Sequence, residues 1–231
     1  MMPSSVKNPL RDPDDAYTVP RFNMVEGQIR TNRVTDERLL ATLSAIPREL
    51  FVPPALASVA YVDTSLRLAG HRYLMEPLFL ARLIQSAGVD ETDAVLVIGA
   101  GTGYSAAVLA HVAQTVIAVE NDAVLVDAAR RNMKALGLAN VVVESGDLCA
   151  GWASGGPYDV ILIDGMVAAV PDAIVAQLAD HGRLVTIQAL EGCCGAGMLF
   201  RKLGGVVSGR ALFDATSPFL PGFEPAAAFS L

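Results

Sequence analysis

The stretch VLVIGAGTGYSAAVLA, residues 95–110, limits this chain to a narrow set of folds. A short apolar run reads as a buried strand, glycines follow at 99, 101 and 103, and an alanine-rich helical pattern begins at once. Glycines in that place let the backbone turn sharply and come close to a ligand, with a helix N-terminus aimed at it. Twenty-one positions beyond Gly99 the next apolar run, TVIAVE, ends in Glu120. A carboxylate about 20 residues past the glycines, at the end of the second strand, is placed to take both hydroxyls of a ribose. Asp147, after the third apolar run in NVVVESGD, sits where it can reach the rim of a nucleobase.

The glycine spacing discriminates between nucleoside ligands. A dinucleotide fingerprint needs a small residue at its sixth place for close packing on the pyrophosphate. Here that place is Tyr104, and the pattern G-x-G-x-G suits a ligand without a pyrophosphate, S-adenosylmethionine. Gly99, Gly101, Gly103, Tyr104, Glu120 and Asp147 are therefore the expected cofactor residues.

Strand-like and helix-like segments alternate beyond the cradle: YSAAVLAHVA, TVIAVE, DAVLVDAARRNMKALG, NVVVES, YDVILID, PDAIVAQLAD and GRLVTIQ. Apolar runs separated by amphipathic helices predict a doubly wound, mostly parallel α/β sheet covered on both faces. GMLFRKLGGVVSGRALFDAT, with its Gly204-Gly205 joint, predicts an antiparallel hairpin at the sheet edge. Upstream, two helices are expected before Pro47, the second with Thr35 as N-cap, and another from about Pro77 to Ala87 with proline in its first turn. The expected layout is a flexible tail over 1–20 and one domain over 21–231. Within it, 21–90 carries N-terminal helices and an acceptor-side loop, 91–190 the cofactor core, and 191–231 a mobile loop and the hairpin.

Hydrophobic residues make up 52% of the chain, yet polar or glycine residues break every run before the ~18 residues of a membrane helix. A net charge of −7 without a lysine or arginine cluster disfavours nucleic acid and anionic membrane surfaces. Cys149, Cys193 and Cys194 form no metal-binding spacing, and reduced thiols suit a cytoplasmic protein. No metal site is expected. His111, His181 and Ser105 make no catalytic constellation, and oligomeric state is not encoded in any pattern here.

The ordered set MVEGQIRTNRVTD, IPRELFVPP, AYVD, VLVIGAGTGYSAAVLA, LGLANV, GDLCAGW, PYDVILID and QLADHGRLV resembles the protein-L-isoaspartate O-methyltransferase family over roughly residues 22–220. The resemblance implies a seven-stranded Rossmann-like sheet and methyl transfer from S-adenosylmethionine to isoaspartyl carboxylates of damaged proteins. The alternatives are a small-molecule acceptor, such as another carboxylate, or a non-catalytic cofactor-binding homologue.

Three departures from the family pattern concern the chemistry. The family's Gly-Gln-Thr-Ile-Ser type motif is replaced by His71-Arg72-Tyr73-Leu74-Met75, which removes both aliphatic hydroxyls. Val97 stands where an acidic residue usually precedes the glycines, and Asp164-Gly165-Met166 where threonine and small residues usually end a strand. In the segment GHRYLMEP, Arg72 is a candidate clamp for an acceptor carboxylate and Tyr73 a candidate hydrogen-bond donor. Asp164 is a candidate base for an acceptor that must lose a proton.

Overall fold

A computed structural model describes residues 16–190 and 194–225. In chain order its elements are α1 (Thr18–Asn23), α2 (Glu37–Ala45), β1 (Leu66–Ala69), β2 (Arg72–Leu74), α3 (Pro77–Ala87), β3 (Ala94–Ile98), α4 (Tyr104–Ala110) and β4 (Thr115–Glu120). There follow α5 (Ala123–Leu136), β5 (Val141–Ser145), β6 (Tyr158–Val167), α6 (Asp172–Val175), β7 (Leu178–Gln188), β8 (Ala196–Leu203) and β9 (Val206–Asp214).

The main sheet has the order β5-β4-β3-β6-β7-β8-β9; β5, β4, β3, β6 and β7 run parallel, and β8 is antiparallel to both of its neighbours, β7 and β9. This is the doubly wound architecture expected from the alternating pattern. Chain order reverses between β3 and β6, the switch point where such sheets bind ligands beyond their strand ends. Register then decides which residues meet there. Ile98 pairs with Val119 on one side and with Ile163 on the other, so Gly99, Glu120 and Asp164 emerge side by side. Between Leu162 and Met166 the pairing of β6 with β7 is irregular, and Asp164 and Gly165 lie within that irregularity. Such local breaks re-aim side chains.

The central strands are buried on both faces, as a sheet covered by helices requires: Val95, Leu96, Val97 and Ile98 are all inaccessible or nearly so. The Gly204-Gly205 joint turns with positive φ at both residues, +57° and +81°, as the hairpin reading requires.

Several boundaries differ from the sequence reading. The first helix starts at Thr18, inside the segment expected to be a tail, and runs through Asn23 into a π-helical turn over Met24–Ile29. The cap of α2 is Asp36 rather than Thr35: its carboxylate accepts from the backbone N–H groups of Arg38 and Leu39 at 3.0 and 3.1 Å. The Thr35 amide instead donates to Gln85 Oε1 at 2.6 Å. PDAIVAQLAD forms only the single turn of α6, because Leu178 already pairs with Tyr158 in the sheet. The Gln177 side chain there donates to the Ala150 carbonyl and accepts from the Trp152 amide. The stretch expected to be irregular between Tyr61 and Tyr73 contains the small β1–β2 hairpin. Part of the expected mobile loop, including Cys193, falls on 191–193, outside the described residues; β8 has begun by Ala196.

Candidate active site

The glycine loop leaves β3 with φ of +77°, +57° and +97° at Gly99, Gly101 and Gly103, a left-handed path that side chains with a Cβ resist. It is pinned to β4, since the amides of Gly99 and Ala100 both donate to the Val119 carbonyl. Glu120 lies behind it, wholly buried. Its Oε1 accepts from the amides of Asn121 and Asp122 at 2.9 and 3.2 Å, and its Oε2 from the Gly101 amide at 2.7 Å. The loop and the carboxylate are thus brought together as the sequence spacing implied.

Arg72 is not where the acceptor-clamp reading put it. The β1–β2 hairpin lies over the loop, and the Arg72 guanidinium reaches down into the cradle. Its Nη2 donates to Glu120 Oε2 at 2.9 Å and to the Gly99 carbonyl at 2.5 Å, with Nε at 3.2 Å from the same carboxylate oxygen. Both partners are buried, their side chains 6% and 0% exposed. Leucines cover the glycines themselves. A Cβ on Gly99 would meet Leu220 Cδ1 at 2.7 Å, and one on Gly101 would meet Leu68 Cδ1 at 3.0 Å.

Beside this closure is a cavity of about 10 Å³, lined by Arg72, Tyr73, Met75, Asp164 and Ser217 among others. That is room for about one water molecule. Asp164 faces it with Oδ1 making no hydrogen bond. Burial pushes the Asp164 carboxyl up to about 6, against the opposing pull of the nearby Ser105 hydroxyl and the Arg72 and Arg48 charges. Tyr73 is half-buried at the same cavity. Arg72 and Tyr73 do converge with Asp164, some ninety positions away in the chain.

Two expected cofactor residues contribute differently from the sequence reading. The Tyr104 ring turns into the core, edge-on to Phe51 at 5.3 Å between centroids and beneath the Arg48 guanidinium at 4.7 Å. Only its backbone is left for the loop. Asp147 is exposed at the end of β5 and caps the short turn after it, accepting from the Cys149 amide at 2.9 Å. His111 and His181 are exposed and lie outside the cavity lining. Among the described residues no group of three potential metal ligands is found.

Arg48 was missed by the sequence reading, although it stands within the quoted IPRELFVPP. It is fully buried, donates Nε to the Ala60 carbonyl at 2.7 Å and Nη2 to the Met75 carbonyl at 2.6 Å, and leaves Nη1 without a partner. Burial pushes its guanidinium below the usual arginine range. The available signal was the charged pair Arg48-Glu49 set between apolar residues, since a charge drawn into such surroundings calls for buried partners. Leu68, Ser217 and Leu220 gave no signal beyond ordinary composition.

The donor set fits a nucleoside joined to an amino acid. Left-handed glycines supply a close backbone approach, Glu120 supplies paired acceptors, and the Gly99 carbonyl can take an ammonium group. In the folded arrangement Arg72 holds the last two.

Comparison with known proteins bears on the chain as a whole. The family model described as protein-L-isoaspartate(D-aspartate) O-methyltransferase matches residues 21–193. A protein-L-isoaspartate O-methyltransferase of Methylorubrum extorquens is 39% identical over 184 residues, covering 80% of either chain. Its counterpart from Serratia proteamaculans is 40% identical over 165 residues, 71% of this chain and 79% of the relative. A solved protein-L-isoaspartate O-methyltransferase superposes with a TM-score of 0.76 at 29% identity; 87% of this chain is covered, and it spans 66% of that structure. At 18% identity, a Plasmodium falciparum structure with S-adenosyl-L-homocysteine bound shares the fold, with a TM-score of 0.71 over 87% of this chain and 97% of that one.

Proposed function

The chain belongs to the protein-L-isoaspartate(D-aspartate) O-methyltransferase family and is an S-adenosylmethionine-dependent methyltransferase, and on that premise we propose that its acceptor is the free carboxylate of an isoaspartyl residue in a protein or peptide. The observation that supports this acceptor is identity near 40% to isoaspartyl methyltransferases across alignments covering 71% or more of the chain.

When bound, the cofactor supplies a methyl group activated by a sulfonium, for in-line transfer to a carboxylate oxygen. The protein's part is alignment and exclusion of water, because a carboxylate with a reference pKa of ~4 is already ionised and needs no base. Gly99 to Gly103 present the backbone, and Glu120 holds ribose hydroxyls. Tyr73 and Ser217, at the shared cavity, stand in for the two hydroxyls missing from the acceptor motif. Arg48, buried with a free N–H beneath the hairpin, adds a positive field that favours an anionic acceptor.

Asp164 favours a second reading. A buried carboxylate with an unpartnered oxygen repels a second carboxylate when ionised, and serves an acceptor that must give up a proton, such as a hydroxyl. One assay separates the two. The protein is incubated with methyl-labelled cofactor and either an isoaspartyl peptide or a deproteinised cell extract. A base-labile methyl ester on the peptide is the expected result; label appearing only on extract components, in a base-stable form, transfers the assignment to the second reading.

A further inference from the structure

We propose that Arg72 is an internal competitor of the cofactor, a side chain that holds the cradle closed and passes to Asp164 when the cofactor enters. The proposal rests on the cofactor assignment made above.

The guanidinium occupies both polar ends of the cradle at once. Oε2 of Glu120 accepts from Arg72 Nη2, from Arg72 Nε and from the Gly101 amide, while Oε1 accepts from two amides. A carboxylate offers about four lone-pair directions, so a ribose cannot add its hydroxyls while Arg72 stays. The Gly99 carbonyl, which would take the amino group of the ligand, already accepts from Arg72. Leu68 from the same hairpin lies against Gly101, so the leucine and the arginine leave together.

A buried arginine stripped of its carboxylate is costly, and the structure supplies the replacement. Asp164 lines the same cavity as Arg72, is 6% exposed and has Oδ1 unpartnered. Transfer of the guanidinium from Glu120 to Asp164 exchanges one ion pair for another and frees Glu120 for the ribose. It also carries a cation to the acceptor side of the cavity.

Calorimetric titration with S-adenosyl-L-homocysteine tests this without turnover. Arg72→Ala and Arg72→Gln are expected to bind about tenfold or more tightly than the unmodified protein, because the competing closed state is removed. Asp164→Asn is expected to weaken binding in the unmodified background and to leave binding unchanged in the Arg72→Gln background. Thermal unfolding of each variant establishes that it is folded, with the glutamine variant retaining hydrogen-bonding capacity if alanine proves too disruptive. Equal or weaker binding by both Arg72 variants overturns the competition while leaving the cofactor assignment standing. Absence of binding by every folded variant overturns the cofactor assignment, and the proposal with it.

Discussion

Replacing Asp164 by asparagine tests the electrostatics of the cavity through stability alone. In the unfolded chain this carboxyl ionises near 3.8; in the folded protein burial moves it to about 6. Between those values the native state keeps a proton that the unfolded state has lost. Stability is therefore highest below the lower value and declines as pH rises through the window. At about 1.4 kcal/mol per pH unit, the loss reaches about 3 kcal/mol once pH exceeds the folded value. Glu120 adds to that penalty, while Ser105, Arg72 and Arg48 oppose it, and all four are already included in the net shift. Asparagine has nearly the shape of the protonated acid and no charge at any pH. Urea unfolding of both proteins from about pH 4 to about pH 8 should show no difference at the acid end, widening to an advantage of about 3 kcal/mol for Asp164→Asn at the alkaline end. A difference independent of pH, or a less stable variant at pH about 8, would refute the assignment of Asp164 as a buried, charge-disfavoured group.

Two other substitutions probe the frame of the cradle. Gly103→Ala forces a side chain into φ +97° and places its Cβ 2.8 Å from Met133 Cε and 3.3 Å from Ala129 Cβ, so thermal unfolding should register a loss of about 1–3 kcal/mol. Asp122→Ala removes the cap of α5, whose carboxylate accepts from the amides of Val124 and Leu125 at 2.9 and 3.2 Å. Chemical denaturation should show a loss of about 1 kcal/mol, with asparagine at the same position restoring most of it.

The sheet was legible because its signals are local and repeated. Every central strand is a short apolar run, and Gly99, Gly101, Gly103 and Glu120 keep their relation through neighbouring strands in fixed register. The cap of α2 was misplaced by one residue because Thr35 and Asp36 both qualify by type; the amides of both donate to Gln85, some fifty positions away, and that hold fixes the register in which the Asp36 carboxylate meets the first amides of the helix. The role of Tyr104 was misjudged for a related reason. Its place in the glycine motif is set by sequence, while the direction of its ring is set by Phe51 and Arg48 from the N-terminal layer. Arg72 shows the same limit most clearly. Its neighbours in the chain suggest an acceptor loop, and its actual partners are forty-eight and twenty-seven residues away.

Arg48 grips the hairpin at the carbonyl of Met75 and the preceding segment at the carbonyl of Ala60, both main-chain atoms. Any amino acid presents the same carbonyl. The segment from His71 to Met75 is consequently held partly through its main chain, in addition to the side-chain bonds by which Arg72 reaches Glu120 and Gly99. A motif as altered as HRYLM can in this way persist in an otherwise recognisable member of its family: part of its anchorage is written elsewhere, in an arginine that grips the chain through a main-chain carbonyl.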